Sequence, residues 1–306
     1  MPMFARLPEN RSYIDSHGTY RTHLNFLDRK KTAVQRHIRR GGLGSYEPDF
    51  QASLLAICEL NEGPLSFYDV GAHIGLYAAV VCEIFNAKNP YVVAIEPTPN
   101  TADIATLVRD KNALAYTIVE AAVSDTHGEI ELFISNKAET SNSLNAEFRK
   151  SDKSVSVPLT TIDRIVDQGY MPPSIMKIDV ETLEAHVLRG ALSTIMEHRP
   201  TMTLELLGKA NMEFVEAMLR ALEAFGYVFY RVEEKSSDWV ESTAEAAMEK
   251  VSSSRRDWIC SPTPLGQEFF EARDAWLSAL EACGEETNIM VPGGEDTPEN
   301  LLTGSY

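Results

Sequence analysis

From Leu65 onward the chain alternates short apolar runs with longer stretches of helical spacing, and this alternation limits its fold more than any other feature. Runs at 66–70, 91–95, 116–123, 175–179 and 201–206 are too short and too uniformly apolar for amphipathic helices, so they read as strands buried on both faces. The intervals 72–85, 100–111, 183–198 and 211–225 carry helix formers at helical spacing, with Pro99 and Gly226 placed where helix ends expect them. Strand and helix in turn make a parallel sheet covered on both sides. Two later runs, 227–232 and 257–260, would close the sheet. The expectation is one α/β domain with a Rossmann-like, mostly parallel seven-stranded sheet and an antiparallel last strand.

Three regions decorate that core. Residues 1–60 read as a helical N-terminal arm, with helices over 16–60 packed on one sheet edge, and 61–262 as the main domain. Residues 263–306 read as one amphipathic helix and an acidic tail. Within the main domain, 130–134 and 154–159 alternate like exposed antiparallel strands, and the polar stretch 136–153 between them is a candidate substrate loop. The charged, Ser-rich segment 233–255 is an insertion with a helix predicted at 243–251.

A formal charge of −17 over 306 residues argues against general nucleic-acid binding, which needs Lys and Arg to neutralise phosphate. The basic run Arg29, Lys30, Lys31, Arg36, Arg39 and Arg40 reads as a solvated helix face. Cys58, Cys82, Cys260 and Cys283 are too scattered for a zinc knuckle or a disulfide framework. No run approaches the roughly 18 apolar residues of a spanning helix, and no leader pattern opens the chain. A cytoplasmic protein without membrane insertion is expected, with a homodimer left open.

The run Asp69-Val70-Gly71-Ala72-His73-Ile74-Gly75 carries the chain from a strand into a helix, at the sheet edge where open α/β folds bind ligands. Gly71 permits the sharp turn, and Gly75 is read as allowing helix and ligand to come close. The spacing lacks the middle glycine of a dinucleotide fingerprint, which makes a nicotinamide-dependent oxidoreductase the weaker reading. Glu96 ends the next strand about twenty residues on, the offset at which a carboxylate reaches ribose hydroxyls, and Pro97 stiffens the turn after it.

Several separated motifs then match in order. They are Tyr68 through Tyr77, Ala94-Ile95-Glu96-Pro97, Ala122-Val123-Ser124-Asp125 with Gly128, and Thr160-Thr161-Ile162-Asp163. Lys177-Ile178-Asp179-Val180-Glu181 with Glu184, Val187-Leu188-Arg189-Gly190, and Arg199-Pro200 with Glu205 follow. Over residues 47–260 the chain resembles the FkbM-type S-adenosylmethionine-dependent methyltransferases. The resemblance implies a class I methyltransferase fold, S-adenosyl-L-methionine as cofactor with S-adenosyl-L-homocysteine as product, and O-methylation of a hydroxyl on a sugar, glycolipid or natural product. It places Asp69, Gly71, Ala72, His73, Gly75, Glu96, Pro97, Ser124 and Asp125 on the cofactor, Asp125 at the adenine ring. Glu47, after Tyr46, is expected to cover the cofactor from the N-terminal side or else to start a helix. Ser141, Asn142 and Ser143 resemble the family's acceptor loop. Two departures stand out: His73 replaces the usual Asn, and Thr182 replaces the usual Gly, where it is expected to cap the following helix.

Asp179 ends its strand, Glu181 follows on the turn and Glu205 ends the neighbouring strand, so all three can converge on the acceptor. A sugar hydroxyl is a poor nucleophile, and a nearby carboxylate serves as general base. Hydroxyl positioning and a divalent cation at Asp179 and Glu205 are the other readings, and an ion pair with Lys177 is the structural one. His186 reads as structural, and His73 as the histidine at the cofactor turn. A small hydroxylated acceptor is the expected partner. N-methylation of an amine and a non-catalytic cofactor-binding protein remain alternatives.

Overall fold

A computed structural model of the protein describes residues 3–6, 21–24, 26, 32–133, 154–208, 210–249 and 256–286. Along the chain, strands β1 (Met3–Arg6) and β2 (Arg21–Leu24) precede helices α1 (Ala33–Gly41) and α2 (Pro48–Leu60). Then come β3 (Ser66–Val70), α3 (Leu76–Ile84), β4 (Tyr91–Ile95), α4 (Pro99–Lys111), β5 (Tyr116–Val119), β6 (Ala122–Val123), β7 (Gly128–Phe133) and β8 (Ser154–Thr160). The second half runs through α5 (Ile162–Asp167), β9 (Ile175–Ile178), α6 (Glu184–Arg189), α7 (Leu192–His198), β10 (Thr201–Glu205) and α8 (Met212–Ala224). It ends with β11 (Val228–Arg231), β12 (Glu241–Ser242), α9 (Ala244–Glu249), β13 (Asp257–Ser261) and α10 (Gln267–Glu286).

The central sheet has the order β12-β11-β13-β10-β9-β3-β4-β5. Strands β3, β4, β5, β9 and β10 pair in parallel, and β13 slots antiparallel between β10 and β11. This is the Rossmann-like, mostly parallel arrangement with one strand more than expected: the two-residue β12 pairs antiparallel with β11 and makes eight. A two-residue strand carries no alternation that a sequence could show.

Because both faces are covered, successive strand residues enter opposite cores. Phe67, Val92 and Ala94 join the core beneath α1, α2, α3, α4 and α10. Tyr68, Val70, Val93, Ile95, Met176 and Ile178 join the core with α5 through α9. A fully buried Val, Ile or Phe side chain contributes about 1.5–3 kcal/mol relative to exposure, and this sets the register of the sheet.

Local differences from expectation have local causes. The apolar run 116–123 is two strands, because the Ala121 amide donates to the Val119 carbonyl at 3.0 Å and turns the chain out of the central sheet. Strand β6 then pairs in parallel with β8, which pairs antiparallel with β7 in a separate three-stranded sheet. The helix expected over 183–198 is broken after Arg189. Gly190 crosses the Ser124 backbone so closely that a Cβ would overlap the Ser124 carbonyl oxygen. The N-terminal arm holds an antiparallel ribbon of β1 and β2 besides its helices.

Two of the matched motifs prove architectural. Thr161 caps α5 by accepting from the Arg164 amide at 3.0 Å, and Asp163 accepts from the Ser193 and Thr194 amides at 3.1 and 2.8 Å. Arg199, in the left-handed region at φ 48°, donates to the Phe225 and Pro262 carbonyls at 2.8 and 3.2 Å.

The C-terminal helix α10 is bound to α2. Arg273, 1% exposed, pairs with Asp49, donates to the Glu233 carbonyl at 2.7 Å and lies over the Trp239 ring. Trp276 donates to Glu59 at 2.6 Å in the same buried layer. Cys58, Cys82 and Cys260 are buried free thiols. Among the described residues no helix is long and apolar enough to cross a membrane.

Candidate active site

The carboxyl ends of β3, β4, β9 and β10 bring the cofactor loop and the acidic residues to one edge. The amides of Gly71 and Ala72 both donate to the Ile95 carbonyl, at 2.9 and 3.0 Å, which folds the loop back over β4. Gly71, His73 and Gly75 all take positive φ, at 80°, 50° and 75°, so α3 starts only at Leu76 and not at residue 72. Asn is among the residues most tolerant of the left-handed region, which accounts for its use where this chain has His73. At Gly75 the close neighbours are protein. A Cβ there would stand 2.9 Å from the Tyr116 hydroxyl oxygen and 3.2 Å from the Ala105 Cβ, so packing against α4 and β5 also requires this glycine. Ala72 is buried within the loop and Pro97 half-buried at the next strand end.

Glu96 is buried and already bonded. Its Oε2 accepts from the His73 amide at 2.8 Å, and its Oε1 accepts from the Thr98 amide and the Thr101 hydroxyl, both at 2.9 Å. The carboxylate thus fixes the loop on which a cofactor would rest, and Oε2 retains a lone pair for a further donor. Asp69 is fully buried and turned inward: Oδ2 accepts from the Ala78 amide at 3.1 Å, and Oδ1 lies 3.5 Å from Lys177 Nζ. Burial raises its pKa against the pull of Lys177. Its duty is to hold β3, α3 and β9 together. Asp125 pairs with Arg189 and stands 3.0 Å from His186 Nδ1, while the Ser124 hydroxyl donates to it at 3.2 Å. His186 packs edge-on against Phe214, and burial lowers its pKa.

The second half of the edge is acidic. The Asp179 side chain stays 37% exposed, with Oδ2 3.3 Å from Lys177 Nζ. Glu205, 8% exposed, shares a hydrogen bond with Asp179 and lies 2.6 Å from Arg256 Nε. Burial and the neighbouring Asp179 push the Glu205 carboxyl well up. Asp179 is held below its ordinary range: burial works against the charge, but Lys177, the Glu205 hydrogen bond and Arg256 outweigh it. The pair therefore keeps its shared proton on Glu205, as expected for two carboxyl groups in contact. Asp257 is raised to about 7, by burial first and then by Glu47 and Asp179. Glu47 starts α2 from the left-handed region at φ 47°, with Pro48 after it, and its Oε2 accepts from the Tyr77 hydroxyl at 2.6 Å. It is both a helix start and a neighbour of this cluster.

The turn between Asp179 and α6 is strained. Glu181 and Thr182 have φ of 54° and 86°, conformations that favour the glycine usual at the second position. Thr182 does not cap the helix: its hydroxyl is buried and meets no hydrogen-bond partner among the described residues. Glu184 braces the turn ahead of the helix instead, accepting from the Val180 and Thr182 amides at 3.1 and 3.2 Å. Glu184 is fully buried, and burial pushes its carboxyl up to about 8.

The ion pair read for Lys177 is present, with both Asp69 and Asp179, whereas Arg256 and Asp257 are the members of the cluster that the motifs do not include. One signal was present: the first residues of an antiparallel strand lie beside the last residues of its parallel neighbour, and Asp257 is indeed registered opposite Glu205. Ser141, Asn142 and Ser143 lie outside the described residues. No group of three His, Cys, Asp or Glu among the described residues is arranged to hold a metal ion. Lys177 and Arg256 already stand as cations beside Asp179 and Glu205, so this pair does not fit a divalent cation.

Residues 69–229, more than half of the 306, match the family model described as the methyltransferase FkbM domain. Among solved structures the chain is similar to a methyltransferase FkbM from Methylobacillus flagellatus KT. The identity is 15%, over 71% of this chain and 51% of that one, with a TM-score of 0.45. The chain thus spans about half the length of that protein. It is also similar to a precorrin-6y C5,15-methyltransferase from Geobacter metallireducens GS-15, at 9% identity over 69% of this chain and 85% of that one, with a TM-score of 0.38. No curated protein matches the chain. Since the family match opens at Asp69, takes in the glycine loop, Glu96 and the Asp179–Glu205 edge, and closes in β11, the chain belongs to the FkbM methyltransferase family.

Proposed function

We propose that the protein transfers the methyl group of S-adenosyl-L-methionine to a hydroxyl of a small acceptor, in the class of sugars, glycolipids and hydroxylated natural products. Asp179 carries this reading: it is the ionised, accessible carboxylate of the site, beside the loop formed by Gly71 to Gly75. The ionised Asp179 carboxylate suits the cofactor, whose sulfonium and ammonium are both cationic. Glu96 and the Gly71–Gly75 loop would hold the adenosine part.

When bound, the cofactor supplies an activated methyl group. The chain's own residues orient the acceptor and remove its proton. Asp179 would take the proton of the acceptor hydroxyl as that oxygen is methylated, while the cofactor would supply the methyl group and leave as S-adenosyl-L-homocysteine. Glu205, protonated and pinned by Arg256, keeps the Asp179 carboxylate turned to the acceptor. The same carboxylate also supports a second reading, N-methylation of an amine, because an ammonium group would be drawn to it. A labelled-methyl transfer screen over sugars, glycolipid precursors, hydroxylated natural products and small amines tests both. Transfer to a hydroxyl supports the first reading, transfer to amines alone the second, and no transfer to any acceptor rejects both.

A further inference from the structure

Lys177 is a buried cation to which the methyl-transfer scheme assigns nothing. It sits on β9 directly opposite Asp69 on β3, and its ammonium has three neighbours. Nζ lies 3.3 Å from Asp179 Oδ2 and 3.5 Å from Asp69 Oδ1, and donates to the Gly71 carbonyl at 3.4 Å. The contacts to Asp179 and the Gly71 carbonyl are hydrogen bonds, and the one to Asp69 is an ion pair. The face of Tyr77 covers it at 5.2 Å, and the Tyr77 hydroxyl continues the chain of contacts to Glu47. A lysine only 4% exposed has given up its hydration, and such a burial persists only when partners replace the lost water. Here the partners belong to two functional groups of residues. Asp69 and Gly71 bracket the turn that forms the cofactor loop, and Asp179 is the acceptor-side acid.

The charged and titratable groups around it come from every neighbouring element: Asp69 on β3, Tyr77 on α3, Tyr46 and Glu47 before α2, Asp179 after β9, Glu205 on β10, and Arg256 and Asp257 at the start of β13. Arg256 lies on the far side of the carboxyl pair, against Glu205, so Lys177 is the cation that joins Asp179 to the loop.

We infer that Lys177 is a positioning residue for methyl transfer: its ammonium ties the Asp179 carboxylate to the Asp69–Gly71 turn, so that the base and the cofactor loop keep one fixed separation. The inference rests on Asp179 being the acceptor base. A side chain with the volume but not the charge of lysine would leave two carboxylates without their cation, one of them fully buried. Arginine would keep the charge but change its geometry.

The test compares Lys177→Met and Lys177→Arg with the wild type, using an acceptor found in the methyl-transfer screen. For Lys177→Met, S-adenosylhomocysteine affinity by calorimetry is expected to stay within about threefold while kcat falls about a hundredfold, the scale of a displaced general base. The acid limb of its kcat–pH profile should move up by about one pH unit or more, because Asp179 has lost its neighbouring cation. Lys177→Arg should bring that limb back toward the wild-type position. A folded Lys177→Met with an unmoved acid limb, or one that loses only cofactor affinity, overturns the inference. Should Lys177→Met not fold, nitrogen-15 lysine labelling decides: the protected ammonium resonance of the folded protein should shift in Asp179→Asn, and an unshifted resonance overturns it. A wild type that methylates nothing rejects the proposed function itself, a result distinct from an active wild type whose acid limb ignores Lys177.

Discussion

Gly71 and Asp179 meet backbone to backbone at the carboxyl edge of the sheet, where a Cβ on Gly71 would overlap the Asp179 carbonyl oxygen. Cofactor loop and acceptor acid are thus in contact before any ligand binds. Gly71→Ala introduces that overlap at a residue whose φ of 80° already disfavours a side chain. It should cost about 3 kcal/mol or more of stability, as expected where neither the space nor the backbone angle accepts alanine. Urea denaturation checks this, and an unchanged midpoint would show that the two strands can move apart.

Thr182 offers the opposite substitution. It holds φ 86° and buries a hydroxyl that no described residue bonds. Thr182→Gly removes both penalties and should stabilise the protein by about 1 kcal/mol, after the added entropy of the unfolded chain is counted. Destabilisation in the same denaturation experiment would mean that the methyl and hydroxyl contribute packing that outweighs the strain.

Glu184 makes stability depend on pH. Burial raises its folded carboxyl to about 8, above the usual range of a glutamate near 4.3, so the folded state binds the extra proton between those values. Stability from this group is complete below the unfolded pKa and is lost as pH rises through about 8. Glu184→Gln keeps an acceptor for the Val180 and Thr182 amides but cannot ionise. Its melting temperature should therefore fall less than that of the wild type between about pH 5 and 9. Parallel melting curves would exclude Glu184 as a source of the dependence.

Arg273 holds α10 against α2. Arg273→Met removes a buried charge while Asp49 and the Glu233 carbonyl keep their need for a partner. The loss should be about 3 kcal/mol, the scale of breaking a buried pair on one side. Loss of only a few tenths in chemical denaturation would show that α10 is held by its apolar face alone.

What the sequence made legible follows from how strongly each feature depends on neighbours in the chain. The parallel strands β3, β4, β9 and β10 are read from their own apolar residues, and the glycine loop and Glu96 from spacing along one strand–helix–strand unit. The split between β5 and β6 was hidden because Glu120, a single charged residue in the otherwise apolar stretch from Val119 to Val123, does not by itself show that the backbone turns there. The charge cluster was only half visible. Asp179 and Glu205 end strands, whereas Lys177 reaches the site from within a strand, and Arg256 and Asp257 arrive from an antiparallel partner over fifty residues later. Asp69 and Asp125 have the residue types expected at a cofactor, but Lys177 and Arg189, each remote in sequence, engage them. Thr182 was read as a cap because Thr is a good capping residue; its dihedral angle, which no sequence displays, decides otherwise.

The most direct measurement is calorimetric titration of S-adenosylhomocysteine into the wild type and into Glu96→Gln, which preserves the bonds around Thr98 and Thr101 better than alanine would. The account predicts one molecule bound per chain, no binding of reduced nicotinamide dinucleotide, and a loss of about 1.5 kcal/mol in Glu96→Gln, the scale of a hydrogen bond to a charged group. A wild type that binds no S-adenosylhomocysteine, or a Glu96→Gln variant that binds it as tightly as the wild type, would contradict the placement of the cofactor on the Gly71–Gly75 loop.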